Sequence, residues 1–363
     1  KYDYFTPNEK NRLSIFASAA NTDRDSYYGP GNDPLKAYGK TTDLIAMGGA
    51  QYVHTFDKCL FMPSDLTAGL EYNRDRLKDN MWGYDRHTDQ TVNIYSAFLQ
   101  NEWKNERWSI LVGGRLDKHN MVDNIIFSPR ANLRFNPTQN INLRLSYSSG
   151  FRAPQAFDED MHIENVGGTV AMIERTKNLK EEKSQSFSAS ADIYHRFGAF
   201  QTNFLIEGFY TKLTDVFVLG EPYNRGDGVL VKLRSNGPGA IVVGVTLEWK
   251  LAYLSLLQVQ AGLTLQRSRY DEPHKWHDDV PAKRTIFRTP NVYGYFTATY
   301  IPIKPLSIAL SGTYTGSMFV QRMDITAENA AMGDMPERKA EAVKTPKFLD
   351  LGVKLAYDFK LYK

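Results

Sequence analysis

The 363 residues carry 44 Lys and Arg against 41 Asp and Glu, a balance that offers no basic field for nucleic acid. No run of about 18 apolar residues occurs, which excludes a helical membrane span but not a membrane barrel, where only alternate residues face lipid. The single cysteine, Cys59, excludes an internal disulfide and reads as a buried or turn residue. Aromatics at 13%, with Tyr 21 and Phe 20, suit strands and the girdles of a membrane interface.

The first residues, Lys1 to Phe5, lack the zones of a signal peptide, and the chain stops just after a strand. The expectation is an internal piece of a longer exported protein. Period-two alternation then recurs in about 14 segments, near 11–20, 41–56, 65–77, 91–104, 107–118, 125–135, 141–149, 184–196, 201–214, 231–249, 255–269, 284–300, 305–319 and 346–360. Between Arg107 and Asp117, one face carries Trp108, Ile110, Val112, Gly114 and Leu116. The other carries Arg107, Ser109, Gly113, Arg115 and Asp117, with Leu111 the exception. From Ile141, residues Leu143, Leu145 and Tyr147 alternate with Asn142, Arg144, Ser146 and Ser148; near the end, Leu351, Val353, Leu355, Tyr357 and Phe359 do the same. A strand sorts such a pattern onto two faces, while a helix would scatter the charges over its whole circumference.

The connections alternate in length. Asn105-Glu106, Asn136 to Asn140, Phe197 to Phe200 and Ile301 to Lys304 are short, whereas 21–40, 78–90, 150–183, 215–230, 270–283 and 320–344 are long and polar. Asn120 to Asn124 is a short junction on the long side. Short turns at one rim and long loops at the other are the habit of outer-membrane barrels, not of sandwiches or propellers. The fold class expected is all-β, a transmembrane antiparallel β-barrel. Its polar strand faces, too polar for a packed core, line a lumen that is wet or filled by another folded element.

The longest polar stretch is bordered by Ser149-Gly150-Phe151-Arg152-Ala153-Pro154 and Asn178-Leu179-Lys180-Glu181-Glu182-Lys183-Ser184. Further on stand Arg234-Ser235-Asn236-Gly237, Gly244-Val245-Thr246-Leu247-Glu248, Phe287-Arg288-Thr289-Pro290, Tyr314 to Met318 and Thr345 to Leu351. Taken in this order, the chain resembles TonB-dependent outer-membrane receptors, whose 22-stranded barrels hold an N-terminal plug. Phe157 to Ile163 and Val166-Gly167-Gly168 look closest to receptors of Bacteroidetes-type bacteria. The second motif departs from the family, with Lys177-Asn178 and Lys180-Glu181 where Asn-Pro and Lys-Pro are frequent. The resemblance implies that residues 1–363 are a partial barrel, about the seventh to twentieth strands, with plug, TonB box and final strands lying outside this chain.

Candidate ligand-binding residues lie in the expected outer loops. His162 suits haem ligation, as some similar receptors place a histidine there, or ordinary loop packing. Asp158, Glu159, Asp160 and Glu164 offer oxygen ligands at alternate positions for calcium, yet lack the glycine turn of a calcium loop and read rather as a solvated acidic loop. His274 and His277, three apart around Trp276, suit a transition metal or a loop tip with an aromatic contact. Arg152 suits an anion clamp or a tie between the loop base and the lumen wall. Trp82, Tyr84 and Tyr223 suit a substrate funnel or an interface belt. No metal site is assigned, and no resident cofactor. Neither paired catalytic carboxylates nor GxSxG nor a Gly-rich phosphate loop occurs, so no enzyme is expected.

What the resemblance implies is active import of a ferric siderophore, haem or cobalamin across the Gram-negative outer membrane, energised by TonB-ExbB-ExbD, with a surface lipoprotein as a further partner and lipid around the barrel. The alternative is a passive porin. An outer-membrane protease or phospholipase, and a soluble β-protein, are the remaining readings.

Overall fold

In the computed structural model the described residues are all except 28–37, 83–85, 157–163, 167–168, 225–229, 278, 326–337 and 360–363. Within strands, the side chains at 164–166, 169–171, 221–222, 230, 323–325 and 338–339 also lie outside the description. His162, Tyr84, Asp158, Glu159 and Asp160 therefore fall outside it, and Glu164 is described by its backbone alone.

The described residues form twenty-two strands. In chain order these are β1 (Tyr2–Phe5), β2 (Asn11–Tyr27), β3 (Tyr38–Cys59), β4 (Met62–Met81), β5 (Arg86–Lys104), β6 (Trp108–His119), β7 (Ile126–Thr138) and β8 (Ile141–Arg152). Then come β9 (Glu164–Val166), β10 (Thr169–Arg175), β11 (Glu182–Phe197), β12 (Phe200–Thr214), β13 (Phe217–Asn224), β14 (Leu230–Asn236) and β15 (Ala240–Tyr253). The last are β16 (Leu257–His274), β17 (Lys283–Thr285), β18 (Val292–Ile303), β19 (Leu306–Thr315), β20 (Phe319–Ile325), β21 (Arg338–Lys344) and β22 (Phe348–Tyr357).

One sheet of 16 strands runs β1-β2-β3-β4-β5-β6-β7-β8-β11-β12-β15-β16-β18-β19-β22, with β17 against β16. Neighbours along it pair antiparallel, as the alternation of short and long connections requires. At one rim the links are tight. Leu60, Gly198 and Leu254 take φ of 63, 58 and 48° in three of them, the left-handed geometry that reverses a hairpin in a few residues. Cys59 sits at such a turn, where its carbonyl accepts from Trp103 Nε1 at 3.0 Å. At the opposite rim lie the long loops and the two smaller sheets, β13-β14-β10-β9 and β20-β21.

The sheet is inside out relative to a soluble protein. Val112 is 51% and Leu116 48% exposed, while Asp117 beside them is 3% exposed. Val353 and Leu355 stand 75% and 70% exposed. Apolar residues facing outward and polar ones inward are what a hydrocarbon surround selects. On the inner face Arg115 Nη1 meets Glu71 Oε2 at 2.6 Å and its Nε meets Asp117 Oδ1 at 2.8 Å. Ser96 Oγ accepts from Arg115 at 2.7 Å and donates to Asp117 at 2.6 Å. In this network one guanidinium holds two carboxylates, with the Ser96 hydroxyl bridging it to one of them. Large rings also cover glycines on paired strands: Phe98 lies over Gly69 and Phe296 over Gly312, where an added Cβ would collide with the ring.

The fourteen long strands coincide with the fourteen expected segments, but several boundaries differ. Strands β2 to β5 run well past the expected limits into 21–27, 38–40, 78–81 and 86–90. A backbone ladder continues into water without apolar alternation, so the pattern marks only the lipid-facing part of each strand. Residues 231–249 form two strands rather than one. Gly237-Pro238-Gly239 separates them, proline lacking the N–H that a ladder needs. Residues 284–300 divide likewise around Arg288, at φ 57°, and Pro290. Short β1 and the outer-loop strands β9, β10, β13, β20 and β21 carry too few residues to show a period.

Candidate functional site

The buried apolar side chains gather at the outer rim. Leu77, Met81, Val122, Ile126, Met172 and Val231 are each 6% exposed or less, and all lie in outer loops or at outer strand ends. The described residues of this rim thus form a packed layer.

The first motif is anchored here. Phe151 and Ala153 pack on Val122 and Ile126. Behind them His119 is fully buried; its Nδ1 accepts from Met121 N at 3.0 Å and its Nε2 faces Gln155 Oε1 at 3.3 Å. An accepting Nδ1 identifies a neutral ring whose proton sits on Nε2. Gln90, 6% exposed on β5, then holds the loop that follows. Its Oε1 accepts from Ala156 N at 2.8 Å and from Arg175 Nη1 at 2.9 Å, and Arg175 also donates to Pro154 O at 2.9 Å.

The second motif is held by Asn236, from the Arg-Ser-Asn-Gly run. Its Oδ1 accepts from Lys180 N at 2.8 Å, and its Nδ2 donates to Lys180 O at 3.1 Å and Asp215 O at 2.8 Å. Glu182 Oε2 accepts from Phe217 N at 2.9 Å. Two loops far apart in sequence are joined by a parallel ladder between β10 and β14, from Ala171↔Leu230 to Arg175↔Arg234.

A cavity of about 520 Å³ opens between the outer end of β5 and this loop sheet, lined by Arg86, His87, Pro154, Met172, Arg175 and Lys177 among others. Glu174 is the acidic residue on its wall. Arg86 is steadied by Asp79 Oδ2 at 2.7 Å, and Asp79 accepts from Thr41 at 2.6 Å. Arg86, Arg175 and Lys177 stand against Glu174 and Asp79, a small cationic excess with a guanidinium on each side that suits an anionic ligand.

Arg152, at the end of β8, stacks over the ring of Phe217 at 5.5 Å and so joins the two motif-bearing loops. Trp82 and Tyr223 are exposed, at 56% and 44%, in separate outer elements. His274, Trp276 and His277 form a second group. Trp276 meets Phe287 edge-on at 6.2 Å, Phe287 meets Phe319 at 6.3 Å, and Lys283 Nζ lies 4.3 Å over Phe319. His274 stands beside Tyr270 at 5.4 Å, and burial holds its imidazole below the usual histidine range. His277 Nδ1 lies 3.4 Å from Asp279 Oδ2. Among the described residues no group of three or more His, Cys, Asp or Glu side chains is placed to hold a metal ion.

Arg86, His87, Arg175, Lys177 and Gln90 were not among the candidate ligand residues expected from the sequence. The available signal was position: Arg86-His87 follow Trp82 closely in the chain, and Arg175 and Lys177 immediately precede the second motif.

A family model described as TonB dependent receptor-like, beta-barrel matches residues 1–362. No curated protein matches the chain by sequence. Among solved structures, the siderophore receptor PirA from Acinetobacter baumannii superposes with a TM-score of 0.68 at 15% identity, over 96% of this chain and 54% of that one. A variant of the ferric enterobactin receptor PfeA from Pseudomonas aeruginosa, in complex with enterobactin, gives 0.68 at 15% identity, over 96% and 52%. The ferric-catecholate import receptor Fiu from Escherichia coli gives 0.66 at 12% identity, over 98% and 56%. The chain therefore spans about half the length of each structure it matches, and identities this low establish a shared fold.

Proposed function

This chain belongs to the TonB-dependent receptor-like β-barrel family, and from that premise we propose that it is part of an outer-membrane active transporter importing a ferric siderophore into a Gram-negative cell. The match across residues 1–362 carries the reading. The substrate class is supported by the similar structures, described as siderophore, ferric enterobactin and ferric-catecholate receptors, and by the cationic cleft at the outer mouth. Haem and cobalamin draw no comparable support, nor does a passive porin.

In this mechanism the ferric chelate is drawn to Arg86, Arg175 and Lys177 at the loop base and is wedged against Ile173 and Leu179. The aromatic group at Trp276 and the exposed Trp82 and Tyr223 offer a first apolar contact. Arg152 couples the two loops that border the cleft. A plug and a TonB segment on the rest of the parent protein, energised through TonB-ExbB-ExbD, then release the ligand inward. The chain's own part is capture and passage, without bond chemistry.

The test is binding to the full-length, detergent-purified receptor, titrated with a ferric tricatecholate, haem and cyanocobalamin. We expect the tricatecholate to bind and Arg175→Ala with Lys177→Ala to weaken it about tenfold or more. Binding of haem or cobalamin alone would overturn the substrate class. Energy-independent flux of small solutes through liposomes bearing the full-length protein would overturn the transporter reading in favour of a porin.

A further inference from the structure

The outward face of β4 changes character abruptly along its length. Its inward residues are Glu71, Asn73, Asp75, Leu77 and Asp79. The outward ones, read from the tight-turn end, are Leu66, Ala68, Leu70, Tyr72, Arg74, Arg76 and Lys78. Leu70 is 66% exposed, and Arg74, Arg76 and Lys78 are all exposed. A tilted membrane strand uses about 9–11 residues. Counted from Met62, that stretch ends near Tyr72, so the basic residues begin where lipid headgroups begin.

The neighbouring strands continue the pattern. Tyr95 pairs with Tyr72 on one side and Lys118 on the other. The two tyrosine rings lie 4.9 Å apart, and Tyr72 donates to Asn93 Oδ1 at 2.8 Å. Below this row is an outward-facing groove of about 520 Å³, where Gly48, Ala50 and Ala97 lie low between Leu70, Leu116 and Ile125. Lys118 lines the same groove. Its ammonium is fixed by Asp123 O at 2.7 Å and Val122 O at 3.1 Å, which leaves one of its three protons for a ligand. Lys78 is offset by Asp89 at 3.6 Å. Among the described residues Arg74 and Arg76 form no ion pair.

We propose that this face is a binding site for a phosphorylated lipid of the outer leaflet, with acyl chains in the groove and phosphate on Arg74, Arg76 and Lys118. A groove alone would accept any hydrocarbon, and a basic face alone any anion. The juxtaposition of the two, with an aromatic row between them, matches a molecule carrying both parts in that order. Arg74 and Arg76 point the same way roughly 7 Å apart along the strand, so their two planar forks can engage one headgroup. The site rests on the outer-membrane placement proposed above and not on the substrate.

The experiment reconstitutes the full-length receptor in phosphatidylcholine nanodiscs containing either phosphatidic acid or diacylglycerol of the same chains. Retained lipid is then counted by native mass spectrometry. The wild type is expected to retain phosphatidic acid about tenfold over diacylglycerol. Arg74→Gln with Arg76→Gln should abolish the preference, while Arg74→Lys with Arg76→Lys should keep most of it. Ala97→Phe, which fills the groove, should lower retention of both lipids. Equal retention by the wild type, an unchanged preference in the double Gln variant, or complete displacement by inorganic phosphate would each overturn the site. Heat-modifiable gel migration identifies variants that fold. Failure of the receptor to enter a bilayer would overturn the placement and the site with it, whereas insertion without discrimination overturns the site alone.

Discussion

Substituting Gln90 by Leu isolates what holds the first motif to the barrel wall. The side chain is 6% exposed, and its Oε1 accepts one backbone N–H, from Ala156, and one guanidinium N–H, from Arg175. Leucine fills a similar volume and accepts neither. A neutral bond contributes about 0.5–1.5 kcal/mol and one to a charged group about 1.5–3 kcal/mol, so the loop base loses roughly 2–4 kcal/mol of local stability. That corresponds to roughly 30- to 1,000-fold more frequent opening. Hydrogen exchange followed by mass spectrometry on peptides covering 153–156 and 169–175 reads this directly. A peptide from the β11–β12 ladder should be unchanged, because its bonds do not pass through Gln90. If residues 153–156 exchanged no faster in the variant, Gln90 would not be the latch, and Phe151 packing on Val122 and Ile126 would have to hold the loop instead.

Three further outcomes are expected. Asn236→Ala removes three hydrogen bonds at the second motif; trypsin should cut after Lys177 or Lys180 about tenfold faster, and an unchanged rate would dismiss the clamp. Gly312→Val drives a side chain into Phe296 and should cost about 1–3 kcal/mol, read as a lower urea midpoint for barrel unfolding; equal midpoints would mean that the ring moves freely aside. His274 is held below its ordinary value of 6.5 by burial. Above that pH the ring is neutral whether the loop is closed or open. As pH falls through 6.5 the open form takes the proton first, so loop protection should decline toward acid. Proteolysis around 275–291 should therefore quicken between pH 7 and 5, and His274→Phe should remove the trend.

The barrel was legible because a strand between lipid and a polar lumen must alternate. Val112 and Leu116 against Arg115 and Asp117 show this without any tertiary information, and the alternating connection lengths supply the antiparallel order. The same logic explains the misplaced boundaries. Beyond the hydrocarbon both faces of a strand meet water or other loops, so β2 and β3 continue through residues such as Asp23 and Lys40 that carry no alternating apolar pattern. The motifs marked the loop base correctly as a place, but their physical roles appear only in three dimensions. Phe151 and Ala153 fill a small core, while Asn236 of a later motif clamps Lys180.

By itself the sequence determined fold class, the fourteen long strands of the main sheet, the two rims and the resemblance to a receptor family, since each depends on local periodicity or on residues adjacent in the chain. Only the tertiary structure assembled the candidate cleft. Arg86 and Arg175 face one cleft because β10 pairs in parallel with β14 and is fastened to Gln90 on β5. Tyr72, Tyr95 and Lys118 form one row because three strands share a register. Such meetings depend on partners tens of residues apart, and no period within a strand encodes them.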